Sequence, residues 1–214
     1  FVLIYPDSID YLGLSFTWTM PEFRTACYGI FSGIGRLAGD PVAIVIAQSS
    51  IVVAVIALSV RAQIGPKRFL STFVLVMGAA LLGGISLFAS QIMADVFAGA
   101  VVLGLVSLMV FADGLTAGRR ILLALLSAVA VAVHTSHVGL GVGLLALGGL
   151  VKLAGLVRPS VPKVRLRAAV ASVVLGVVLA MGSNFYVIGR ATLTQTVTVQ
   201  NLALFIEGGS AKAY

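Results

Sequence analysis

The sequence predicts an all-α fold, a polytopic transmembrane helix bundle, and three observations carry that prediction. Hydrophobic residues fill 60% of the 214 positions and charged residues only 10%, against about 45–50% and about 25% in soluble domains. Mean hydropathy is +1.14. Apolar stretches approach the roughly 17–25 residues needed to cross about 30 Å of hydrocarbon, and they recur along the whole chain. The same figures exclude disorder, collagen, coiled coil and a disulfide-stapled domain.

The chain reads as one transmembrane module. Residues 1–5 are apolar and read as the end of a truncated first span. Residues 6–41 mix aromatics, charges and glycines, which suits an outer loop holding short surface helices. Six full spans follow within 42–188. The first covers 42–60 and is closed by the basic stretch 61–68, with Gly65-Pro66 as its turn. The others are 69–88, 96–112, 121–133, 138–157 and 168–188. The fourth is short, so His134 and His137 are expected at its membrane end. Residues 189–214 read as an outer tail, with a threonine-rich stretch over 192–198. The glycines Gly139, Gly141 and Gly143 suit close helix packing.

Net charge is +7 and the isoelectric point about 10.1. With no arginine-aromatic patch or phosphate-cradling glycine loop, the charge reads as topology rather than as a nucleic-acid surface. Ten of the fourteen basic residues fall in one set of alternate loops: Arg61, Lys67, Arg68, Arg119, Arg120, Lys152, Arg158, Lys163, Arg165 and Arg167. The positive-inside rule assigns that set to the cytoplasm. Arg24, Arg36, Arg190 and Lys212 then lie outside, with every acidic residue except Asp113. An integral protein of a bacterial inner membrane is expected. Cys27 is the only cysteine and reads as a small buried hydrophobe.

Ionisable groups at membrane depth are costly and mark candidate sites. Four outer segments bring them to one face: Asp7 and Asp10, then Asp95, then His134 and His137, then the region after Ile188. On a helix, Asp7 and Asp10 share one face, where they can divide general-base and positioning work or share a metal. Pro6-Asp7-Ser8 also reads as a helix start, with Asp7 or Ser8 as its cap. His134 and His137 at i and i+3, with Asp95, have the residue types for a transition-metal site. Asp40 and Glu207 read as solvated turn residues, and Asn184 as an interhelical hydrogen bonder. No nucleophile elbow, Walker loop, HExxH or CxxC occurs.

Three stretches carry a family resemblance. They are Tyr5-Pro-Asp7-Ser-Ile-Asp10-Tyr11-Leu12, Arg24-Thr-Ala-Cys-Tyr28-Gly29-Ile-Phe31 and Gln48-Ser49-Ser50. Together they make the chain resemble the GT-C superfamily of integral membrane glycosyltransferases that use polyprenyl-phosphate sugars. The second stretch is similar to an Arg-x-Pro-Gly-Tyr-Pro segment of that family, although the proline before Tyr28 is absent, as is any DxD pair. The resemblance implies sugar transfer from a polyprenyl-phosphate donor at the extracytoplasmic face, with Asp7 as catalytic base. It implies that Asp10 or Asp95 positions the acceptor or a divalent metal, that Arg24 meets the lipid phosphate, and that Tyr28 and Gln48 line the substrate site. Membrane lipid and a lipid-linked sugar would be the partners. Two other readings stand beside it: a transporter or channel, and a non-catalytic subunit of a larger membrane complex.

Overall fold

A computed structural model describes residues 2–19, 24–65, 68–82, 88–157 and 163–193. Glu22, Lys67, Arg158, Glu207, Lys212 and nearly all of the threonine-rich stretch lie outside them. The described chain is helical, with no β-strand beyond one isolated bridge. Two short helices come first, α1 (Pro6–Thr17) and α2 (Ala26–Ala38). Then follow α3 (Val42–Ile64), α4 (Phe69–Leu82), α5 (Val96–Val110), α6 (Ala117–Ala132), α7 (Thr135–Val157) and α8 (Arg167–Ile188). A 3-10 turn at Ala112–Gly114 joins α5 to α6.

Among the described residues, three helices, α3, α7 and α8, are long and apolar enough to cross a membrane, and they point to a membrane protein. The expectation of six full spans is met only in that coarser form. With 15 and 16 residues, α5 and α6 measure about 22–24 Å, short of the roughly 30 Å hydrocarbon core. Boundaries also shift from those expected. Helix α3 carries Arg61, α6 begins before Arg119 and Arg120, and α7 begins at Thr135 rather than 138. A helix satisfies its own backbone wherever it runs, so hydrocarbon sets where apolar side chains stop but not where hydrogen bonding stops.

Residues 2–5 correct a second expectation. They are extended, not the end of a helix. Leu3 pairs with the 90–92 segment, its N–H donating to Ser90 O at 2.9 Å and its carbonyl accepting from Ile92 N at 3.2 Å. Pro6 accounts for Tyr5, because the residue before a proline is pushed out of the helical region, and the main-chain pairing of Leu3 goes with the extended residues before it.

The core lies between α3, α5, α6 and α8, where Val55, Phe97, Val101, Leu105, Leu123 and Val131 are fully or almost fully buried. Helix α6 packs most extensively on α8, and small residues allow it. A Cβ at Gly176 would stand 2.7 Å from the Val131 side chain and 2.8 Å from the Ala128 carbonyl. Of the three glycines expected to mediate packing, Gly141 alone makes a close approach, to Val173; Gly139 and Gly143 face open space. The outward faces carry Phe73, Leu122, Leu147, Leu150 and Val174 in the open, which suits a lipid-facing surface.

The bundle has two chemically distinct ends. Gln48 of α3 meets α2 and the 89–91 segment. At the other end of α3, the Ala62 carbonyl approaches Gly114 in the 3-10 turn. The first end bears Asp7, Asp10, Asp95 and both histidines. The second gathers Arg61, Arg119, Arg120, Lys152, Arg165 and Arg167.

Candidate functional site at the α1–α2 end

The site begins with a helix start. Pro6 fixes φ and has no N–H to satisfy, so α1 opens on it. The cap position falls to Tyr5, whose N–H donates to Ser8 Oγ at 2.9 Å. Neither Asp7 nor Ser8 is the N-cap, which corrects that expectation. Asp7 instead reaches across to the residues that open α2.

Asp7 and Asp10, three residues apart in α1, both face Arg24. Arg24 Nη2 donates to Asp7 Oδ1 at 2.7 Å, and its Nε lies 3.5 Å from Asp10 Oδ2. The guanidinium also sits over the Tyr11 ring, 4.8 Å from its centroid, in a cation–π arrangement. Burial of Arg24 opposes its charge, but the Asp7 hydrogen bond and Tyr11 outweigh it, so its pKa rises above the ordinary value. The Arg24 side chain is only 17% exposed, whereas Asp7 and Asp10 are 46% and 51% exposed. Two carboxylates around one cation leave this cluster with a net charge of −1, open to water on its acidic side.

Beneath it lies an aromatic and amide support. Tyr11 packs edge-on against Tyr28 at 4.6 Å, and Tyr28 against Phe31 and Phe97 at 5.6 and 6.3 Å. The Tyr28 hydroxyl donates to Gln48 Oε1 at 2.7 Å. Gln48 Nε2 donates to the carbonyls of Ala89 and Gln91 at 2.6 and 2.5 Å. Burial raises the pKa of both Tyr11 and Tyr28, keeping them neutral donors. Tyr28 and Gln48 are wholly buried, and the amide has spent both donors on main chain. They lie under the site rather than on it, which corrects the expectation that they line it.

Two further residues tie the remaining segments to this end. Thr25 Oγ1 donates to the carbonyls of Ala132 and Val133 at 3.1 and 3.0 Å. The Ala26 N–H donates to Asn184 Oδ1 at 2.8 Å, and Asn184 Nδ2 donates to Thr192 O and Leu193 O. Asn184 thus bonds between helices as expected. Thr25 carries no sequence signal, since a threonine before a helix reads only as a cap.

Asp95 is exposed at the start of α5. It stands at the mouth of an apolar groove of about 280 Å³ bounded by Val52, Ile56 and Leu103 of α3 and α5. His134 lies in the turn between α6 and α7, with Nδ1 2.7 Å from Ser136 Oγ. Burial lowers its pKa, while the charge of Asp95 raises it and that of Arg24 lowers it further. The His134 and His137 rings are 5.4 Å apart. His137 is buried in the first turn of α7; its Nδ1 bonds Ala130 O at 2.8 Å, and its Nε2 is buried without a partner.

Three of the four predicted segments therefore meet at one end, joined by residues 189–193 of the fourth, and Asp7, Asp10 and Arg24 are in direct contact. The Asp95, His134 and His137 trio shares that end without closing on a point. Among the described residues, no three His, Cys, Asp or Glu side chains come together closely enough to hold one metal ion. No family model matches this chain, and no curated protein or solved structure is significantly similar to it.

Proposed function

We propose that the chain is a glycosyltransferase-like membrane protein of GT-C type, transferring a sugar from a polyprenyl-phosphate donor at the extracytoplasmic face of a bacterial inner membrane. The observation that carries this reading is the Asp7–Arg24–Asp10 cluster, half-open to water, at the same end of the bundle as an apolar groove topped by Asp95. A lipid-linked sugar needs that pairing of an apolar channel for its tail and polar groups at the membrane face.

Asp7 acts as general base. One carboxylate oxygen is held by Arg24, leaving the other for the acceptor hydroxyl. The base takes the hydroxyl proton as that oxygen attacks the anomeric carbon. The bond from that carbon to the phosphate oxygen breaks, and polyprenyl phosphate leaves with the electron pair. Arg24 meets the developing phosphate charge, and Asp10 holds Arg24 in register. Two carboxylates are too few for a protein-held metal cage, but they suffice for a divalent cation that arrives with the phosphate. Such an ion would neutralise leaving-group charge.

The test is sugar transfer by the purified protein from a polyprenyl-phosphate hexose. Asp7→Asn keeps size and removes basicity, and transfer is expected to fall about 10²–10⁴-fold. Asn Oδ1 can still accept from Arg24 Nη2 and Asp10 keeps its charge beside the guanidinium, so the melting temperature in detergent should change far less than activity. Near-normal transfer by Asp7→Asn would place the base elsewhere.

A further inference from the structure

The far end of the bundle holds a cavity that sugar transfer does not use. It measures about 440 Å³ and is lined by Arg120, Lys152, Arg165 and Arg167. Among the described residues, the only carboxylate bonded there is Asp113, which pairs with Arg165. Local electrostatics make the gathering costly. Arg120 lies in the first turn of α6 and Arg167 opens α8, and cations at helix N-termini oppose the helix dipole. The α8 N-cap, Leu166, offers no side-chain acceptor to the first-turn N–H groups. Arg120 Nη2 donates to Ala112 O at 2.9 Å, yet its Nε is buried with no partner. Four cations and the start of α8 line one space. Asp113 answers Arg165, and among the described residues no carboxylate pairs with Arg120, Lys152 or Arg167.

A second observation says what kind of anion. An apolar groove of about 280 Å³ runs between α6 and α8, lined by Ala124, Leu125, Ala171 and Leu175. Arg120 and Ala168 line both spaces, so the basic cavity and the groove adjoin. The groove opens on the same outward surface as Ile121 and Leu125, both exposed. A soluble phosphate would use the cavity alone. A phospholipid would use both.

We infer that this end binds an anionic phospholipid, with its phosphate among Arg120, Lys152 and Arg167 and an acyl chain along the α6–α8 groove. Basic pockets between helices on the cytoplasmic side suit acidic lipid headgroups, and the lipid would relieve the cation crowding at two helix starts. Lys152 and Arg167 are exposed, so substituting them tests binding without disturbing the core.

Native mass spectrometry of the full chain in detergent, titrated with phosphatidylglycerol or phosphatidylcholine of the same chain length, reads this directly. Phosphatidylglycerol should bind about tenfold or more tightly than phosphatidylcholine. Lys152→Gln and Arg167→Gln should each weaken phosphatidylglycerol about fivefold and leave phosphatidylcholine unchanged, while Lys152→Arg keeps the affinity. Ala171→Trp fills the groove and should weaken both lipids. Melting temperature should hold in all four variants, since positions 152, 167 and 171 are exposed. Equal binding of the two lipids, or indifference to both charge removals, would overturn the inference. Displacement of phosphatidylglycerol by millimolar sodium phosphate, with Ala171→Trp silent, would also overturn it in favour of a soluble-anion site.

Discussion

At the scale of single residues, partners decide what each polar group can do. Cys27 gives a direct check. Burial pushes its thiol up from about 9 to about 11, and the thiolate is the reactive form. Each unit of upward shift removes about nine-tenths of the thiolate at a given pH, so maleimide labelling at pH 7 should run about 100-fold slower than on an exposed cysteine. Labelling as fast as on a free peptide would mean that α2 lifts from the bundle. The sequence made Asp7 and Asp10 legible because spacing on one helix face is a local property, whereas Arg24 entered the site only through the resemblance. It misplaced Tyr28 and Gln48, because residue type does not reveal burial. By its residue type Gln48 reads as an interhelical hydrogen bonder, which its bonds to Tyr28, Ala89 and Gln91 match; the ligand role came from the resemblance. Thr25 was invisible for a similar reason, since its acceptors lie more than a hundred residues away.

At the scale of elements, the strongest determinant is how closely helices approach. Helices in lipid gain little from burying apolar surface against one another, so small residues and tight packing hold them together. Gly176 is where α8 meets α6, and a Cβ there collides with both the Val131 side chain and the Ala128 backbone. The backbone cannot give way as a flexible side chain could. Gly176→Val should therefore destabilise the purified protein by about 1–3 kcal/mol, read as a lower melting temperature in detergent. Gly143→Val, facing open space, should leave it nearly unchanged. Equal losses would show that helix propensity rather than packing is being measured. Of these positions, the sequence flagged only the glycines of α7, since three close glycines make a pattern and a single one does not. Span boundaries were blurred by the same kind of gap. Hydropathy reports where apolar side chains end, whereas α3 runs on through Arg61 to Ile64.

At the scale of the whole molecule, sequence and structure agree most closely in the separation of charge between the two ends. Counting basic residues by alternate loops needs no boundary to better than a few residues, so the errors in span length did not affect it. In the fold, Asp7, Asp10 and Asp95 gather at one end with both histidines, and Arg119, Arg120, Lys152, Arg165 and Arg167 at the other. A chain so polarised has one favoured orientation, because Lys and Arg near helix ends resist translocation while acidic residues weigh little. Asp95 and Gly118 bracket α5 and the turn after it, and both are exposed. Single cysteines at these positions, in a Cys27→Ser background, should respond oppositely to a membrane-impermeant maleimide. In sealed cells, Asp95→Cys is expected to label and Gly118→Cys only after the membrane is opened. The shortness of α5 makes this the demanding place to ask. At about 22 Å, its ends reach the interfaces only if the bilayer thins or flanking groups snorkel, each at a modest cost per ångström. Labelling of both positions from outside would mean that α5 does not cross. The two ends of the bundle would then share one membrane face, and the acidic cluster at Asp7 and the basic cavity at Arg120 could not serve opposite leaflets.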